Sequence, residues 1–96
     1  DFWADWCAAC IELEKKTFPA SQVQALKDRF VFLKFDATVA NTKEFKILQE
    51  KYDIFGLPFL VFYDPKGHLR EDLTLTGFEG PEEFAKRMEK ALEENK

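Results

Sequence analysis

Two cysteines three positions apart, Cys7 and Cys10, are the residues of this 96-residue sequence best suited to chemistry. Residues 1–4 read as the end of a buried strand and a helical pattern follows, so Cys7 is predicted at a helix N-terminus. Free backbone N–H groups and the helix dipole stabilise a thiolate there, and the pKa can fall from about 8.5 to roughly 3.5–7.5. Cys10 lies one turn later on the same face, within reach of a disulfide. We expect Cys7 to attack a substrate disulfide and Cys10 to resolve the mixed disulfide.

A Cys-x-x-Cys pair is also found as half of a zinc site, so metal binding is an alternative to redox chemistry. Zinc needs two further ligands, for which the sequence offers only His68 and carboxylates. The pair could otherwise hold a soft metal or be idle. An aromatic strand and Trp6 before the pair, and a helix opening at it, favour the redox interpretation. We therefore expect no metal, and no cofactor beyond the Cys7–Cys10 disulfide.

A proline loop is the second candidate element of the site. Gly56, Leu57 and Pro58 precede an apolar run that reads as a strand. A cis Leu57–Pro58 bond is predicted, which would turn the backbone beside Leu57 toward the cysteines. An ordinary loop proline is the alternative. Together with Trp6, Leu57 and Pro58 are the predicted substrate-binding residues.

Two carboxylates, Asp1 and Glu14, are candidate proton carriers for the cysteine pair. Asp1 enters a buried strand, where burial should raise the pKa of its side chain. Glu14 follows Cys10 by four residues, one helical turn along, where its side chain could point under the disulfide. Either could accept or deliver the proton that leaves Cys10. The alternatives are a solvated helix residue for Glu14 and a frayed terminal residue for Asp1.

The hydrophobic pattern predicts helices that alternate with buried strands. The apolar positions are Ile11 and Leu13 in the first helix, and Phe45, Ile47 and Leu48 in the third. Strands are predicted at 1–4, 30–35, 59–63 and 68–76. Helices are predicted at 8–17, 22–29, about 43–51, and 81 to about Glu94. Ser21 is the predicted N-cap of the second helix, and Asn41 or Thr42 that of the third.

This element order predicts an α/β layered sheet within one domain spanning residues 1–96. The run 30–35 is so apolar that a strand covered on both faces is expected. The two buried strands are predicted to be parallel, joined by a right-handed crossover. Residues 59–63 and 68–76 should form a hairpin that adds an antiparallel edge.

Composition and charge exclude several classes of function. Apolar residues make up 46% of the chain, with eleven Phe, which favours a dense core over disorder. A net charge of −4 argues against a nucleic-acid partner. No apolar run approaches the roughly 20 residues of a membrane span, and no signal peptide is evident. Because the sequence starts inside a strand pattern, we expect a piece of a longer protein.

Several segments resemble the thioredoxin family. Residues 1–10 look like its active-site segment, Gly56-Leu57-Pro58 like its cis-proline loop, and Gly77-Phe78 like the glycine turn after its hairpin. The resemblance implies a thioredoxin-like three-layer α/β/α fold with a mixed sheet. The first strand and helix of the complete fold are missing from these 96 residues.

A closer similarity is to the C-terminal periplasmic domains of the DsbD family, bacterial transmembrane thiol:disulfide interchange proteins. Ala4-Asp5 before the motif, Ala9 between the cysteines, Glu14 and the stretch 36–38 carry it. It implies that Cys7 exchanges and Cys10 resolves, while Asp1 and Glu14 tune them. It also implies that electrons come from a membrane-embedded domain and pass to another periplasmic domain.

Two departures from the thioredoxin pattern affect the expected partner protein and the reduction potential of the cysteine pair. Phe59 follows Pro58 where thioredoxins commonly have Thr, and the dipeptide between the cysteines is Ala8-Ala9. We expect a monomeric protein-disulfide reductase in the periplasm, as a domain of an inner-membrane protein. Its expected partners are protein disulfides and dithiols and other domains of a membrane-embedded parent. The alternatives are a free thioredoxin-like reductase, for which the cytoplasm is the second location, a dithiol oxidase or isomerase, and a metal-binding module.

Overall fold

A computed structural model describes residues 1–93. A parallel pair of short strands lies beside four helices, and two further turns of other helical types occur. The strands are β1 (Phe2–Trp3) and β2 (Phe35–Asp36), and the helices are α1 (Ala8–Glu12), α2 (Ser21–Lys27), α3 (Lys43–Tyr52) and α4 (Pro81–Leu92), with a π-helical turn at Leu13–Thr17 and a 3₁₀ turn at Glu71–Leu73. The predicted end of the last helix, about Glu94, lies outside the described residues.

The sheet confirms a parallel pair of strands and an antiparallel edge. Phe2 lies opposite Phe35 in the parallel pair β1–β2. On its other side Phe2 exchanges backbone hydrogen bonds with Phe59, at 2.9 and 3.2 Å, in an antiparallel bridge. Leu60 exchanges such bonds with Leu75 in the same sense. The strand pairing is therefore mixed, as the sequence predicts.

The predicted hairpin strands at 59–63 and 68–76 are wrong in their extent. They meet at isolated antiparallel bridges, of which the second joins Tyr63 and Leu69. The second arm is interrupted by the 3₁₀ turn Glu71–Leu73. There Arg70 folds back on Asp72, with its Nε donating to a carboxylate oxygen at 2.9 Å. This local ion pair favours a turn over an extended ladder.

Helix α1 continues into the π-helical turn, and the two together span the predicted helix 8–17. The Phe18 N–H donates to the Leu13 carbonyl at 2.9 Å, an i to i+5 bond that widens the helix. Leu13 and Thr17 are fully buried. Burial of Leu13 agrees with the prediction, whereas Ile11 is exposed, against it.

The predicted N-cap is confirmed for α3 and is wrong for α2. Thr42 caps α3, since its hydroxyl accepts a hydrogen bond from the Phe45 N–H at 3.2 Å. Phe45 is buried on that helix, whereas Ile47 is exposed, against the prediction. Ser21 is the first residue of α2 and not its cap. The cap position is Ala20, which offers no side-chain hydrogen bond.

Two apolar clusters occupy the two faces of the sheet. Because neighbouring residues of an extended chain point to opposite faces, Phe59 and Leu60 enter different clusters. The α4 cluster contains Leu13, Val23, Leu60, Leu75, Phe84, Ala85 and Met88, and the α3 cluster contains Phe2, Ala37, Phe45, Ile54 and Phe59. This arrangement gives the three layers that were predicted.

The run 30–35 is not the doubly covered strand that its composition predicts. Only Phe35 and Asp36 are strand, and Val31 and Leu33 are 88% and 72% exposed. The segment pairs on one side only among the described residues, where the Phe35 N–H donates to the Asp1 carbonyl at 2.8 Å. An apolar groove of about 540 Å³ runs beside it. No helix within residues 1–93 is long and apolar enough to cross a bilayer.

Candidate active site

The cysteine pair forms a disulfide at the point where β1 gives way to α1. The Cα atoms of Cys7 and Cys10 are 5.2 Å apart, within the usual range for a disulfide. Cys7 is the N-cap of α1, with an extended backbone, and its Sγ accepts a hydrogen bond from the Cys10 N–H at 3.2 Å. The same N–H would stabilise a negative charge on this sulfur after reduction. The predicted position of Cys7 at the helix start is confirmed.

Both sulfur-bearing residues are shielded, and Cys10 more so. Cys7 is 6% exposed and Cys10 is 2% exposed. They form a small cluster with Ala4, against which the half-buried side chains of Trp3 and Leu57 pack. The difference in exposure favours Cys7 as the thiol that meets a partner disulfide, because attack requires access to the sulfur.

Trp6 is held at the surface by a backbone contact. Its side chain is 61% exposed, and its Nε1–H donates to the Thr38 carbonyl at 3.0 Å. The neighbouring Asp5 N–H donates to the Thr38 hydroxyl, also at 3.0 Å. The turn that leads into Cys7 is thus anchored to the segment that follows β2.

Thr38 is in turn fixed by Asp36. Both the N–H and the hydroxyl of Thr38 donate to the Asp36 Oδ1. These hydrogen bonds, that of the hydroxyl first, lower the pKa of the Asp36 carboxyl. Residues 36–38 contribute to the resemblance to the DsbD family, but no role in the site was predicted for them. Asp followed two residues later by Thr after a strand is a local turn signal that identifies such an anchor.

The proline loop reaches the cysteine cluster through Leu57. The Leu57–Pro58 peptide bond is cis, which confirms that prediction. Leu57 packs against the cluster of Ala4, Cys7 and Cys10, and Pro58 is fully buried. Phe55, just before the loop, is largely exposed. Substrate binding by Trp6, Leu57 and Pro58 stays a prediction.

Asp1 lies beside the strand segment that precedes β2. Its backbone nitrogen donates a hydrogen bond to the Leu33 carbonyl at 3.0 Å. The carboxylate oxygen Oδ1 is buried, with no hydrogen-bond partner among the described residues. A buried, unpaired carboxylate oxygen fits the predicted proton carrier, a role that stays a prediction.

Glu14 projects from the π-helical turn toward a lysine that the sequence analysis did not single out. Its carboxylate forms an ion pair with the Lys34 ammonium. The ammonium also lies over the Trp3 ring, 5.0 Å from the ring centroid. Both partners of the ion pair are partly exposed. The structure therefore places Glu14 in a charge pair at the edge of the site.

The residues of the zinc alternative do not converge. His68 is exposed in the hairpin turn, where its Nδ1 lies 3.4 Å from a carboxylate oxygen of Asp64. Within residues 1–93 no three His, Cys, Asp or Glu side chains come together as a metal-binding group. The cysteine pair instead faces an apolar shell of Ala4, Trp3 and Leu57.

Proteins similar to this chain match it over nearly its whole length, including the segment with the two cysteines. A profile of the thioredoxin-like domain family matches residues 1–92. The DsbD thiol:disulfide interchange protein of Pectobacterium atrosepticum is 40% identical over 90 residues, 94% of this chain and 15% of that protein. The corresponding protein of Haemophilus influenzae is 37% identical over 92 residues, 96% of this chain and 16% of that protein. The chain thus spans under a fifth of these relatives.

Solved structures give the same result over most of their own length. The DsbD C-terminal domain of Neisseria meningitidis in its oxidised form superposes with a TM-score of 0.82 at 33% identity, covering 96% of this chain and 77% of that one. Its reduced form superposes with a TM-score of 0.81 at 32% identity and the same coverage.

Proposed function

The chain belongs to the thioredoxin-like domain family, and on that premise we propose that it is a protein-disulfide reductase acting through Cys7 and Cys10. The single observation that carries the proposal is the disulfide at the N-cap of α1. A backbone N–H already directed at the Cys7 sulfur lowers the cost of a thiolate there. The thiolate is the attacking species in disulfide exchange.

The proposed reaction passes two electrons to a partner. The Cys7 thiolate attacks one sulfur of a substrate disulfide, so a mixed disulfide forms and the other substrate sulfur leaves as a thiolate. Cys10 then loses its proton and attacks the Cys7 sulfur, which releases the second substrate sulfur. The substrate leaves as a dithiol, and the chain is left with its Cys7–Cys10 disulfide. Asp1 and Glu14 are the proposed acceptors of the Cys10 proton.

Two further observations support this cycle. The related Neisseria domain is described in oxidised and reduced forms, and this chain superposes on both almost equally well. A fold that accommodates both states supports repeated exchange without large rearrangement. The exposed Trp6 and the apolar Leu57 flank the pair, and they would offer an extended peptide one aromatic and one aliphatic contact.

The relatives support a proposal for the direction of electron transfer and for the location of this chain in the cell. The DsbD proteins are named as interchange proteins, and this chain corresponds to a small part of each. We infer a monomeric domain of an inner-membrane parent that lies in the periplasm. There it takes electrons from another domain of the parent and reduces periplasmic proteins. A cytoplasmic thioredoxin-like reductase is the second candidate, since the family profile alone does not distinguish the two.

The reduction potential of the Cys7–Cys10 couple tests the proposal. Equilibration with dithiothreitol or glutathione mixtures is expected to give a potential near or below that of the cytosolic glutathione pool, roughly −220 to −260 mV. A potential well above this range would make the disulfide the reactive form, and the oxidase or isomerase alternative would replace the reductase. Tight stoichiometric zinc binding by the reduced chain, without any insulin reduction, would contradict the redox proposal altogether.

A pair of matched variants tests the roles of the two cysteines. Cys10→Ser is expected to trap mixed disulfides through Cys7, because the resolving thiol is gone. Cys7→Ser, the control, should trap little, since Cys10 is the more deeply buried residue. Trapping by Cys7→Ser alone would reverse the assignment. Mass spectrometry of the non-reduced complexes identifies the bonded cysteine.

A further inference from the structure

Phe55 places a large aromatic side chain at the surface, directly before the proline loop. It is 80% exposed, whereas most phenylalanines of this chain are buried or half-buried. A single exposed apolar side chain is common on proteins, so exposure alone assigns no role to Phe55. A role follows only from where Phe55 lies relative to the cysteine pair.

The proline loop carries Phe55 close to the reacting sulfurs. Leu57 packs against the cluster that contains the two cysteines. The Phe55 Cα lies within about 7 Å of the Leu57 Cα, since only two residue steps separate them. A partner cysteine bonded to the Cys7 sulfur places its neighbouring residues beside the shell to which Leu57 belongs. Because an extended chain advances about 3.3 Å per residue, residues two to four positions from that cysteine come within reach of Phe55.

Hydrogen bonds and a ring contact hold Phe55 in place. Helix α3 is capped at Asp53, whose left-handed backbone (φ 56°) turns the chain. The N–H of Ile54 donates to the Gln49 carbonyl at 3.0 Å, and the Ile54 carbonyl accepts from the Gln49 side chain at 3.1 Å. The Phe55 ring meets the ring of the buried Phe59 edge to face, with centroids 6.1 Å apart. A side chain that is already held loses less conformational entropy when it binds.

A recess of about 370 Å³ opens beside Phe55 and offers room for a side chain of the partner. Its other apolar lining residues are Tyr52, Phe59, Val61 and Leu69. The charged residues in its lining carry both signs, so charge attraction selects neither an anion nor a cation strongly. The recess and the Phe55 ring together favour an apolar side chain, whose burial there removes apolar surface from water.

We propose that Phe55 is a specificity-determining residue, which contacts apolar side chains that flank the reactive cysteine of a protein substrate. This inference rests on the proposed function, because it concerns the choice among disulfides that Cys7 attacks. The preferred substrates are protein disulfides with a large aliphatic or aromatic residue two to four positions from the attacked sulfur. Small disulfides, which have no such flanking residue, are reduced without help from Phe55.

The test compares the rates at which the reduced full chain reduces three probes. Two are symmetric disulfide dimers of a single-cysteine peptide, with Leu at three positions before and after the cysteine in one and Ser there in the other. The third is bis(2-hydroxyethyl) disulfide. Phe55→Ala is expected to lower the second-order rate constant for the Leu peptide about tenfold, the usual size for loss of an aromatic anchor. The rates for the Ser peptide and the small disulfide should not change.

Two further variants separate recognition from a general loss of activity. Phe55→Tyr keeps the ring and is expected to retain the Leu-peptide rate. Ile47→Ala removes an exposed apolar side chain from α3, outside the proline loop and the recess, and should leave all three rates unchanged. An unchanged Leu-peptide rate in Phe55→Ala would overturn the inference, as would an equal loss with all three probes.

The wild-type rates distinguish failure of this inference from failure of the proposed function. A reduced wild-type chain that reduces none of the three probes would contradict the proposed function itself. Reduction of all three at rates that do not depend on Phe55 would contradict this inference alone.

Discussion

The disulfide end of the molecule and the α4 cluster are stabilised in different ways. Around Cys7 a few directional hydrogen bonds hold half-exposed groups, among them the bond from the Trp6 indole to Thr38. In the α4 cluster Leu13, Phe84 and Met88 are almost completely buried and contribute mainly hydrophobic packing. Helix α1 and its π-helical continuation join the two, since Cys7 caps one end and Leu13 lies in the cluster. Reactivity and global stability should therefore respond to different substitutions.

The largest expected effect on stability comes from Phe84→Ala. Phe84 is 1% exposed and contacts Phe18 and Phe62 through tilted ring pairs. Its truncation is expected to lower the free energy of unfolding by about 3–5 kcal/mol, measured by chemical denaturation. The reduction potential of the molecules that stay folded should not change.

Phe55→Ala is the matched control for that substitution. Phe55 is 80% exposed, so its loss should change the free energy of unfolding by less than about 1 kcal/mol. A shift of the reduction potential in Phe84→Ala comparable with that of an active-site variant would show that the two regions are coupled. Packing in the α4 cluster would then contribute to reactivity at the disulfide.

Thr38→Val should have a smaller effect on stability and a larger one on activity. The substitution removes the hydroxyl that accepts from the Asp5 N–H and donates to Asp36, while the shape of the side chain is kept. A loss of about 1 kcal/mol in the free energy of unfolding is expected. The rate of insulin reduction should fall several-fold, because the turn that carries Trp6 loses its anchor.

The pKa of the Asp36 carboxyl provides an independent readout of the same variant. The Thr38 hydroxyl is the largest cause of its lowered pKa, so the value should rise toward its ordinary level in Thr38→Val. An NMR titration measures it. Thr76→Val, at an exposed position, controls for loss of a hydroxyl. An unchanged insulin-reduction rate in Thr38→Val would mean that the turn needs no side-chain anchor.

The smallest expected effect is on acid stability, through Asp64 in the hairpin turn. Its Oδ1 accepts from the backbone N–H groups of Lys66 and His68, each at 2.9 Å. The bond from His68, followed by that from Lys66, lowers the pKa of the Asp64 carboxyl. Because its folded pKa lies below the usual value of 3.8, its contribution is complete above that pH. It is lost as pH falls through the folded value.

Asp64→Asn should therefore be less stable than the wild type at pH 7, and the difference should shrink below about pH 4. Thermal unfolding across that pH range measures it. Asp28→Asn, at an exposed position after α2, is the control and should leave the pH profile unchanged. Since the turn lies outside the cysteine cluster, the reduction potential is expected to stay the same. A difference that grows as pH falls would contradict the assignment.

Local sequence signals predicted most of the site. The three-residue spacing of Cys7 and Cys10 fits one helical turn, and a strand before a helix places such a pair at the N-terminus. The Thr42 cap is similarly local, whereas the cis bond at Pro58 was predicted only together with the cysteine motif; the structure has both. A local signal depends only on residues a few positions away, so it can be recognised without knowledge of the fold.

The prediction that residues 30–35 form a buried strand is wrong in both burial and extent. Phe59 and Leu60 are buried as their composition predicts, whereas the equally apolar Val31 and Leu33 are exposed. Composition indicates that a strand can be covered, but the neighbours in space decide whether it is. Among the described residues, Phe59 and Leu60 have pairing partners in Phe2 and Leu75, while residues 31–34 are paired on one side only.

The sequence by itself determined the reactive pair, its position at a helix start, the proline loop and the parallel pairing of strands. Only the tertiary structure decided that Lys34 faces Glu14 and Trp3, and that Thr38 anchors Trp6. These contacts join residues 20 or more positions apart. Helical and strand periodicities specify a face over a few residues, but an ion pair between two elements depends on how the sheet and helices pack together.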